Sequence, residues 1–334
     1  MTNVAINGLG RIGRAALKVI LDTPELNLVA ANDVATAENL SYLLRFDTVY
    51  GRYEKPVETN DGRLIVGGHS LRLLSEKDPA KLPWKELAVE YVFECTGRFT
   101  RREDLEKHLQ AGAKKVILSA PAKSEEIVTA VHGVNQPPGN PTVISCASCT
   151  TNCIVPVAEI MARRIGVKKA IMTTVHAYTA GQALVDGPHK NIRRGRAGAA
   201  NLVPTSTGAA LAAVKVLPQY QNKFDGVAVR VPVTVGSLAD LVFVTERRTT
   251  VEEVNRIFTE EAGSPKYQGV LGVTNEPAVS SDIIKDSRAS VVDLGMTQVV
   301  DGDLVKVFSW YDNEWGYVSQ MIRSAVRMAS APSS

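Results

Sequence analysis

Val4-Ala5-Ile6-Asn7-Gly8-Leu9-Gly10-Arg11-Ile12-Gly13 opens this 334-residue chain with a short apolar run that leads into three glycines at G-x-G-x-x-G spacing. An amphipathic helical pattern follows, and Leu26 to Ala31 has the composition of a second strand. Asp33 stands 20 residues after Gly13. Strand, glycine turn, helix, strand and acid, in this order and spacing, predict a dinucleotide-binding βαβ unit rather than a glycine-rich turn that binds nothing.

Each of these residues has a distinct physical task in such a unit. Gly8 permits the tight turn, Gly10 lets the backbone approach a pyrophosphate, and Gly13 lets the helix pack on the sheet. The helix N-terminus offers unpaired N–H groups and a partial positive charge to the phosphates. Asp33 can accept hydrogen bonds from a ribose 2′-OH and would repel a 2′-phosphate, so the sequence favours NAD over NADP.

The alternation of strands and helices continues downstream. Val89 to Cys95 is predicted to be a buried strand, Arg102 to Ala111 a polar helix, and Lys115 to Leu118 another strand. Such alternation favours a parallel sheet, whose ligands bind beyond the carboxyl ends of the strands. Three residues at these ends are candidates for the cofactor site, with an ordinary turn role as the alternative for each: Thr96, Gly97 and Ser119.

Three of the four cysteines lie within the segment Cys146-Ala147-Ser148-Cys149-Thr150-Thr151-Asn152-Cys153. Helical periodicity runs from Ile154 to Ile165, and Ser148 is a favourable N-cap, so Cys149 is expected in the first helical turn. A helix N-terminus lowers the pKa of a thiol, and a neighbouring imidazolium lowers it further. We therefore predict that Cys149 is a reactive nucleophile with a lowered pKa.

Two other interpretations of the cysteines compete with the nucleophile. Cys146, Cys149 and Cys153 have a spacing that suits a metal, but no second ligand pair follows at the spacing of a zinc ribbon or finger, so no metal is expected. Cys149 and Cys153 are i and i+4 on one helix, so a disulfide between them under oxidative stress stays open. A nucleophile needs a base, and His176 stands near the end of the β-rich segment Ala170 to Val175.

Composition limits the other functional classes. The chain has 38 Lys and Arg against 35 Asp and Glu, a net charge of +3, which is too mild for the concentrated basic face of a nucleic-acid-binding protein. The basic run from Lys190 to Arg196 lacks the interleaved aromatic residues of such a face. No apolar stretch approaches the roughly 18 residues of a membrane helix, and the N-terminus has no signal-peptide pattern. Sparse cysteines favour a reducing cytoplasm.

Five motifs together resemble the glyceraldehyde-3-phosphate dehydrogenase family, in order and over essentially the whole chain. They are Ala5-Ile6-Asn7-Gly8-Leu9-Gly10-Arg11-Ile12-Gly13-Arg14, Ser148-Cys149-Thr150-Thr151-Asn152-Cys153, His176-Ala177-Tyr178-Thr179, Thr205-Ser206-Thr207-Gly208-Ala209-Ala210 and Trp310-Tyr311-Asp312-Asn313-Glu314-Trp315-Gly316-Tyr317. The resemblance implies a phosphorylating, NAD-dependent aldehyde dehydrogenase of glycolysis and gluconeogenesis. It also implies a homotetramer in which the segment from about Tyr178 to Asn201 lines a neighbour's cofactor site.

The same resemblance implies a mechanism and roles for individual residues. Cys149 attacks the aldehyde, His176 takes the proton, hydride passes to the nicotinamide, and inorganic phosphate releases the thioester as an acyl phosphate. Further cofactor contacts fall on Arg11, Ile12, Lys77, Asn313 and Tyr317. The two phosphate pockets fall on Thr179 and Arg230, and on Ser148, Thr150, Arg194, Thr207 and Gly208.

The chain departs from the family pattern at three places. Cys146 stands where the family commonly has Asn, and Gly181 replaces an acid near the expected substrate pocket. The usual Leu-Pro is Gly187-Pro188: Pro188 keeps NAD preferred, whereas the small Gly187 leaves NADP as a weaker alternative. Erythrose-4-phosphate dehydrogenase and a redox-sensing homologue without turnover are the alternative functions.

The second half of the chain carries less local signal. Its predicted elements are a sheet from Phe224 to Glu246, a helix from Thr250 through Phe258, strands at Val291 to Leu294, Met296 to Val300 and Leu304 to Trp310, and a helix from Glu314 to Met328. With the resemblance, they imply an α/β fold: a Rossmann dinucleotide-binding domain and an α+β catalytic domain with a mostly antiparallel sheet. The expected bounds are 1–148 for the NAD-binding domain and 149–313 for the catalytic domain, with a C-terminal helix of about 314–334 that packs back on the first.

Overall fold

The computed structural model describes residues 1–330 of the chain, which form two compact units. The first unit contains Met1–Ala130, Gln136–Ala147 and the chain from Met321 onward, and the second contains Val131–Asn135 and Ser148–Gln320. The last four residues of the predicted C-terminal helix, 331–334, lie outside the described residues. Within residues 1–330, no helix is both long enough and apolar enough to cross a membrane.

The first unit is built around one large sheet. Its strands are β1 (Thr2–Asn7), β2 (Leu26–Asn32), β3 (Phe46–Asp47), β4 (Gly51–Arg52), β5 (Val57–Asn60), β6 (Arg63–Val66), β7 (His69–Leu74), β8 (Tyr91–Glu94), β9 (Lys115–Leu118), β10 (Val128–Thr129) and β11 (Val143–Ser145). Its helices are α1 (Arg11–Ile20), α2 (Ala37–Arg45) and α3 (Arg102–Gln110). The sheet order is β10-β11-β9-β8-β1-β2-β7-β6-β5, and β3 pairs with β4 separately.

The parallel part of this sheet positions the first site. Neighbouring strands from β10 to β7 run parallel, whereas β6 pairs antiparallel with both β7 and β5. Val4, Ala5 and Ile6 of β1 are fully buried between β2 and β8. Because the three strands are parallel, the residues that follow β1, β2 and β8 meet at the same edge of the sheet.

The second unit contains a mixed sheet with helices around it. Its elements are α4 (Cys149–Arg164), β12 (Val167–Ala177), β13 (Val203–Ser206), α5 (Ala209–Val216), β14 (Phe224–Val231), β15 (Ser237–Thr245), α6 (Val251–Ala262), β16 (Leu271–Thr274), β17 (Ser290–Val300), β18 (Leu304–Tyr311) and the start of α7 (Trp315–Ala329). The order is β13-β14-β12-β15-β18-β17-β16. Four of its six pairings are antiparallel, and β14 and β16 pair parallel with β12 and β17. The predicted fold class is confirmed.

Local boundaries differ from the sequence prediction in several places, and the helix predicted to end at Phe258 runs to Ala262. The two strands predicted at Val291 to Leu294 and Met296 to Val300 are one strand, β17, whose register with β18 shifts between Asp293 and Gln298. Gly295 lies within this shift, so the irregularity interrupts the sequence pattern without ending the strand. The strand predicted at Val89 to Cys95 is shorter, because only its centre pairs with β1 and β9.

Candidate active site

A cavity of about 400 Å³ lies at the carboxyl ends of the parallel strands in the first unit. Five residues predicted for the cofactor site line it: Gly8, Gly10, Asp33, Lys77 and Thr96. Seven residues that the sequence analysis missed complete the lining: Asn7, Asn32, Val34, Glu76, Cys95, Arg98 and Phe99. Asn7, Asn32 and Cys95 stand at or just after the ends of predicted strands, which is the signal that could have found them.

Three glycines shape the turn between β1 and α1. Gly8 has a φ of +94°, and a Cβ there would lie 2.7 Å from Thr96 N. A Cβ on Gly13 would lie 1.8 Å from Gly8 O, whereas one on Gly10 would meet nothing within 4 Å. The fold therefore requires glycine at Gly8 and Gly13, while Gly10 leaves open space in front of the turn.

The start of α1 suits an anion. Its N-cap residue, Gly10, makes no side-chain hydrogen bond to the helix. Arg11 and Ile12 lie in the first turn, where the helix dipole carries its positive end. The Arg11 side chain forms an ion pair with Asp47 at 2.6 Å, so its guanidinium is held by the protein itself.

Asp33 connects the glycine turn to the end of β2. Its Oδ2 accepts a hydrogen bond from Leu9 N–H at 2.7 Å, and its Oδ1 accepts one from Ala35 N–H at 2.9 Å. The half-buried carboxyl group lines the cavity. A carboxyl group at this place can accept hydrogen bonds from sugar hydroxyls and repels a phosphate.

The remaining predicted cofactor residues of the first unit lie in turns after β8 and β9. The N–H and the hydroxyl of Thr96 both donate to the Glu94 carboxyl group. Gly97 has a φ of +69°, and Ser119 N–H donates to Glu94 O at 3.0 Å. Thr96 lines the cavity, whereas Gly97 and Ser119 are not among its described lining residues.

In the second unit, α4 begins at Cys149 with Ser148 as its N-cap. The Ser148 hydroxyl accepts a hydrogen bond from Thr151 N–H at 3.1 Å, which confirms the predicted cap. The thiol of Cys149 therefore stands in the first turn of the helix and is half-buried. This geometry places the sulfur where N–H groups of the helix start can reach it.

His176 lies near the carboxyl end of β12 and is buried. Its Nε2 lies 3.4 Å from Cys149 Sγ, and its Nδ1 lies 2.7 Å from Ala177 O. Nδ1 also lies 2.6 Å from Arg230 Nη1, which can only donate, so the two contacts of Nδ1 favour opposite tautomers. When Nδ1–H donates to the carbonyl, the lone pair of Nε2 faces the thiol. The structure thus brings together the two residues predicted as nucleophile and base.

The electrostatics of this pair differ from the prediction. Burial, and then the positive charge of Arg230, lower the pKa of His176 to about 3. Burial raises the pKa of the Cys149 thiol above its ordinary value, although Arg230 and hydrogen bonds at Thr150 act in the opposite direction. The prediction of a lowered thiol pKa is therefore wrong, because lost hydration outweighs the helix N-terminus. The resting pair is a thiol beside a neutral imidazole.

The other cysteines do not share this environment. None of the four forms a disulfide within residues 1–330. Cys153 Sγ faces Ser290 Oγ at 3.9 Å and Ser309 O at 3.8 Å, so it has different partners from Cys149. Burial raises the pKa of Cys146 and of Cys153 to about 12 in each case. Residues 1–330 contain no group of three or more His, Cys, Asp or Glu side chains placed to hold a metal ion.

Two arginines supply positive charge around the thiol and the imidazole. Arg230 stands opposite His176 in the sheet, and its Nη1 lies 2.6 Å from His176 Nδ1 and donates to Ala177 O at 3.0 Å. Its Nε is buried and has no hydrogen-bond partner within residues 1–330. Arg194 Nε donates to Thr205 Oγ1 at 3.0 Å, and the charge of Arg194 also lowers the pKa of His176. A buried donor beside two positive charges suits an anionic ligand.

The threonines predicted for the phosphate pockets have different hydrogen-bond partners. The hydroxyls of Thr150 and Tyr311 share a hydrogen bond of 2.9 Å, and Tyr311 also bonds to Thr174 at 2.8 Å. Thr207 Oγ1 accepts from Ala209 N–H at 3.2 Å, beside Gly208, the N-cap of α5. Thr179 N–H donates to Gln182 Oε1 at 3.3 Å. Tyr311 was missed as a site residue although its motif was recognised.

Asn313 is tied to the end of β12 through a serine that the sequence analysis missed. Asn313 is buried, and its Oδ1 accepts from the Ser237 hydroxyl at 2.9 Å. Ser237 Oγ accepts from Ala177 N–H at 3.1 Å. Ser237 therefore fixes the Asn313 amide relative to the residue that follows His176. Tyr317 is buried in the first turn of α7.

Known proteins resemble the chain over nearly its whole length. A family model described as the NAD binding domain of glyceraldehyde 3-phosphate dehydrogenase matches residues 2–102, and one described as its C-terminal domain matches residues 148–313. Glyceraldehyde-3-phosphate dehydrogenase 1 of Bacillus cereus is 46% identical over 99% of each chain. The enzymes of that name from Geobacillus stearothermophilus and Streptomyces coelicolor are 47% and 46% identical, over 98% and 96% of each chain. Motifs, fold and relatives agree, and the chain belongs to the glyceraldehyde-3-phosphate dehydrogenase family.

Proposed function

We propose that the chain catalyses the phosphorylating oxidation of D-glyceraldehyde 3-phosphate to 1,3-bisphosphoglycerate with NAD, through a thioester on Cys149. The observation that carries this proposal is the 3.4 Å approach of Cys149 Sγ to His176 Nε2. A thiol at the start of a helix does not by itself define a reaction, but a thiol beside a neutral imidazole is the arrangement of a nucleophile and its base.

The chemistry needs these two side chains and two substrates. As Cys149 Sγ bonds to the aldehyde carbon, the thiol proton passes to His176 Nε2 and then to the carbonyl oxygen, which gives a hemithioacetal. NAD supplies the acceptor for the hydride, and His176 takes the hydroxyl proton as the thioester forms. An oxygen of inorganic phosphate then bonds to the thioester carbon. The sulfur leaves with the proton from His176, and the proton of the phosphate goes to solvent.

This role requires an uncharged ring at His176. The pKa of about 3 keeps the ring uncharged across the physiological range, so Nε2 can carry the lone pair that takes the thiol proton. The same low pKa makes the ring a weak base, and an anion bound at Arg230 would raise it by offsetting the positive charge that lowers it. The protonated Nε2–H can then donate to the oxygen on which negative charge develops. Backbone N–H groups of Cys149 and Thr150 stabilise the sulfur when it loses its proton.

The arginines and hydroxyls would bind the two phosphate groups. Arg230 and Thr179 are proposed for the phosphate of the aldehyde, and the buried, unpartnered Nε of Arg230 supports an anion there. The attacking phosphate is assigned to Ser148, Thr150, Arg194, Thr207 and Gly208. Thr205 Oγ1 and Ser206 O orient the Arg194 guanidinium through its Nε and Nη2, and its remaining N–H groups can face a ligand.

The cavity of the first unit fits NAD chemically. The space in front of Gly10 and the positive end of α1 suit a pyrophosphate, and Asp33 suits ribose hydroxyls while it disfavours NADP. The residues proposed to hold the cofactor in this unit are Gly8, Gly10, Arg11, Ile12, Gly13, Asp33, Lys77, Thr96, Gly97 and Ser119. Asn313, oriented by Ser237, is proposed to bind the nicotinamide carboxamide, with Tyr317 beside it.

The test is the rate of NADH formation by the purified chain with glyceraldehyde 3-phosphate, with and without inorganic phosphate. Parallel assays use erythrose 4-phosphate in place of the aldehyde and NADP in place of NAD. Rapid, phosphate-dependent reduction of NAD with the three-carbon aldehyde is the expected result. Phosphate-independent turnover that prefers the four-carbon sugar would contradict the proposal and would mean that Ser148, Thr150 and Thr207 do not bind an attacking phosphate.

We further propose that the chain is a cytoplasmic homotetramer. Apolar side chains are exposed on the second sheet and beside it, where Ile171 is 60% and Leu211 69% exposed along a groove of about 1000 Å³. Leu184 and Ile192, in the segment expected to face a neighbouring subunit, are 82% and 85% exposed. Apolar surface of this kind marks protein contacts. Light scattering should give about four times the 36.0 kDa of one chain, and a monomer would contradict the proposal.

A further inference from the structure

A buried polar chain of three side chains leads from the core of the first unit toward its cavity. Trp84, His108 and Glu94 are all fully buried. Trp84 Nε1–H donates to His108 Nδ1 at 2.9 Å, and His108 Nε2 lies 3.1 Å from Glu94 Oε2. Because an indole nitrogen can only donate, His108 Nδ1 must accept, and Nε2–H is the donor that faces Glu94.

The Glu94 carboxyl group holds both sides of the glycine turn. Its Oε1 accepts from Thr96 N–H at 2.8 Å and from the Thr96 hydroxyl, and its Oε2 accepts from Asn7 Nδ2 at 2.6 Å. Asn7 directly precedes Gly8, which approaches Thr96 so closely that a Cβ on Gly8 would lie 2.7 Å from Thr96 N. One carboxyl group therefore fixes the glycine turn against Thr96.

The same hydrogen bonds extend to a third wall of the cavity. Asn7 Oδ1 accepts from Asn32 Nδ2 at 2.7 Å. Asn32 in turn accepts from Glu76 N–H at 2.8 Å and donates to Glu76 O at 2.9 Å. Asn7, Asn32, Glu76 and Thr96 all line the cavity. Hydrogen bonds thus link four lining residues to a carboxyl group that also faces His108 Nε2.

We propose that His108 is a positioning residue for the dinucleotide, which acts through Glu94 on Thr96 and Asn7. The inference rests on the proposed function, since it takes this cavity as the NAD site. A buried carboxyl group that loses a donor turns toward other partners or water, and the residues it holds lose their common arrangement. Trp84 acts one step further away, because its N–H sets the tautomer of His108. Preorganisation of this kind lowers the cost of binding.

The test compares two variants of His108 in the full chain. His108→Leu removes both ring nitrogens, whereas His108→Gln retains an amide donor that can reach Glu94. Leu105→Ala is the matched control, because Leu105 lies on the same helix, α3, is fully buried, and packs in an apolar cluster with Val116 and Leu118. The Kd for NAD is measured by calorimetry for each protein, beside its thermal unfolding and its kcat at saturating NAD.

His108→Leu is expected to raise the Kd for NAD about tenfold or more. Its kcat should stay within about twofold of that of the unchanged chain. In His108→Gln, most of the increase in Kd should disappear. Leu105→Ala is expected to lower the Tm without raising the Kd. The inference would be overturned if the Kd for NAD rose equally in His108→Leu and Leu105→Ala, or in neither. In that case NAD turnover by the unchanged chain would still support the proposed function. If His108→Leu does not fold, Trp84→Phe replaces it: a raised Kd supports the inference, and an unchanged one overturns it.

Failure of the unchanged chain to bind NAD is a separate outcome. It would overturn the proposed function together with this inference, whereas every outcome above presupposes normal binding by the unchanged chain. The two failures are therefore distinguished by the first titration of the series.

Discussion

Two helices of this chain carry a proposed site at their N-terminus, but the chain begins them differently. α1 starts after Gly10, which gives no side-chain cap and leaves open space in front of the helix. α4 starts after Ser148, whose hydroxyl accepts from Thr151 N–H at 3.1 Å. The N-terminus of α1 therefore has N–H groups that an anionic ligand can contact. The N-terminus of α4 is capped by Ser148 and carries the Cys149 thiol in its first turn.

The difference shows that a helix N-terminus does not set the chemistry of its site alone. At α1 the positive end of the dipole faces a cavity, where it can act on a ligand. At α4 the same kind of dipole acts on a thiol that burial has deprived of water, and the pKa of Cys149 is raised nevertheless. We therefore expect the reactivity of Cys149 to depend on His176 as a base more than on the helix.

The largest expected effect comes from removal of the thiol. Cys149→Ser should lower the rate of NADH formation by roughly 10³-fold or more, because a hydroxyl is a far weaker nucleophile and its proton is harder to remove. The Kd for NAD should stay close to that of the unchanged chain. The measurement is the steady-state rate beside a calorimetric titration with NAD, and retained dehydrogenase activity would contradict the thioester mechanism.

Cys153→Ser is the matched control for this variant. Cys153 lies one turn further along α4, is fully buried, and already faces the Ser290 hydroxyl and Ser309 O, with which a serine hydroxyl can bond. We expect the variant to keep most of its activity. A loss as large as that of Cys149→Ser would show that the helix, and not the thiol at its start, limits the rate.

Substitution of two glycines at the start of α1 should affect two different properties, the stability of the fold and the binding of the cofactor. Gly13→Ala places a methyl group 1.8 Å from Gly8 O, so the free energy of unfolding should fall by about 1–3 kcal/mol. Gly10→Ala meets nothing within 4 Å and has a φ of −66°, so stability should change by less than about 0.5 kcal/mol. The methyl group of Gly10→Ala nevertheless occupies the space proposed for the pyrophosphate, and NAD binding should weaken.

Urea unfolding and calorimetric titration of the same two proteins measure these effects. The proposed difference between the two helix N-termini would be contradicted if Gly10→Ala bound NAD as tightly as the unchanged chain. The open space at the start of α1 would then not be the place where the phosphates bind.

The pH dependence of thiol alkylation sharpens the comparison at α4. A raised thiol pKa means that Cys149 is protonated near neutral pH, so its alkylation by iodoacetamide should accelerate as pH rises through and beyond the ordinary thiol range. Because the pKa of His176 is about 3, we expect no plateau of reactive thiolate at acid pH. Such a plateau would indicate a thiolate–imidazolium pair and would contradict the neutral pair, and Cys149→Ser measures the background from the buried cysteines.

Features that depend on neighbours in the chain were predictable from sequence. The glycine turn was found because Gly8 has a positive φ and because Gly13 lies against Gly8 O, and both constraints are set within five residues, although Gly8 itself packs against the distant Thr96. The cap at Ser148 was found because an N-cap bonds to the N–H three residues on, at Thr151. In both cases the contact that decides the residue type lies within five residues, so it can be read from the local pattern.

Features that depend on distant partners were not predictable. Glu94, His108 and Trp84 were missed because their partners lie 14 and 24 residues away along the chain, and a histidine in a polar helix gives no sign of being fully buried. The pKa of His176 could not be predicted, because burial and Arg230, 54 residues further on, set it. Ser237 lies 76 residues before Asn313, and only the pairing of the strands brings them together.

The smallest expected effect concerns the cap that distinguishes the two helices. Ser148→Ala removes the acceptor for Thr151 N–H and should lower the free energy of unfolding by about 1 kcal/mol. Ser148→Thr keeps a hydroxyl and should lose less, since threonine is also a favourable N-cap. Urea unfolding of both variants measures the cap alone.

Steady-state kinetics of these variants then show whether the Ser148 hydroxyl, which caps α4, also binds the attacking phosphate. The proposed function assigns Ser148 to the attacking phosphate as well, so Ser148→Ala should raise the KM for phosphate and leave the KM for the aldehyde unchanged. A loss of stability with an unchanged KM for phosphate would mean that the hydroxyl serves only the helix, to which it is already bonded through Thr151 N–H and Thr151 Oγ1. Phosphate would then bind through Thr150, Arg194, Thr207 and Gly208, without the cap residue.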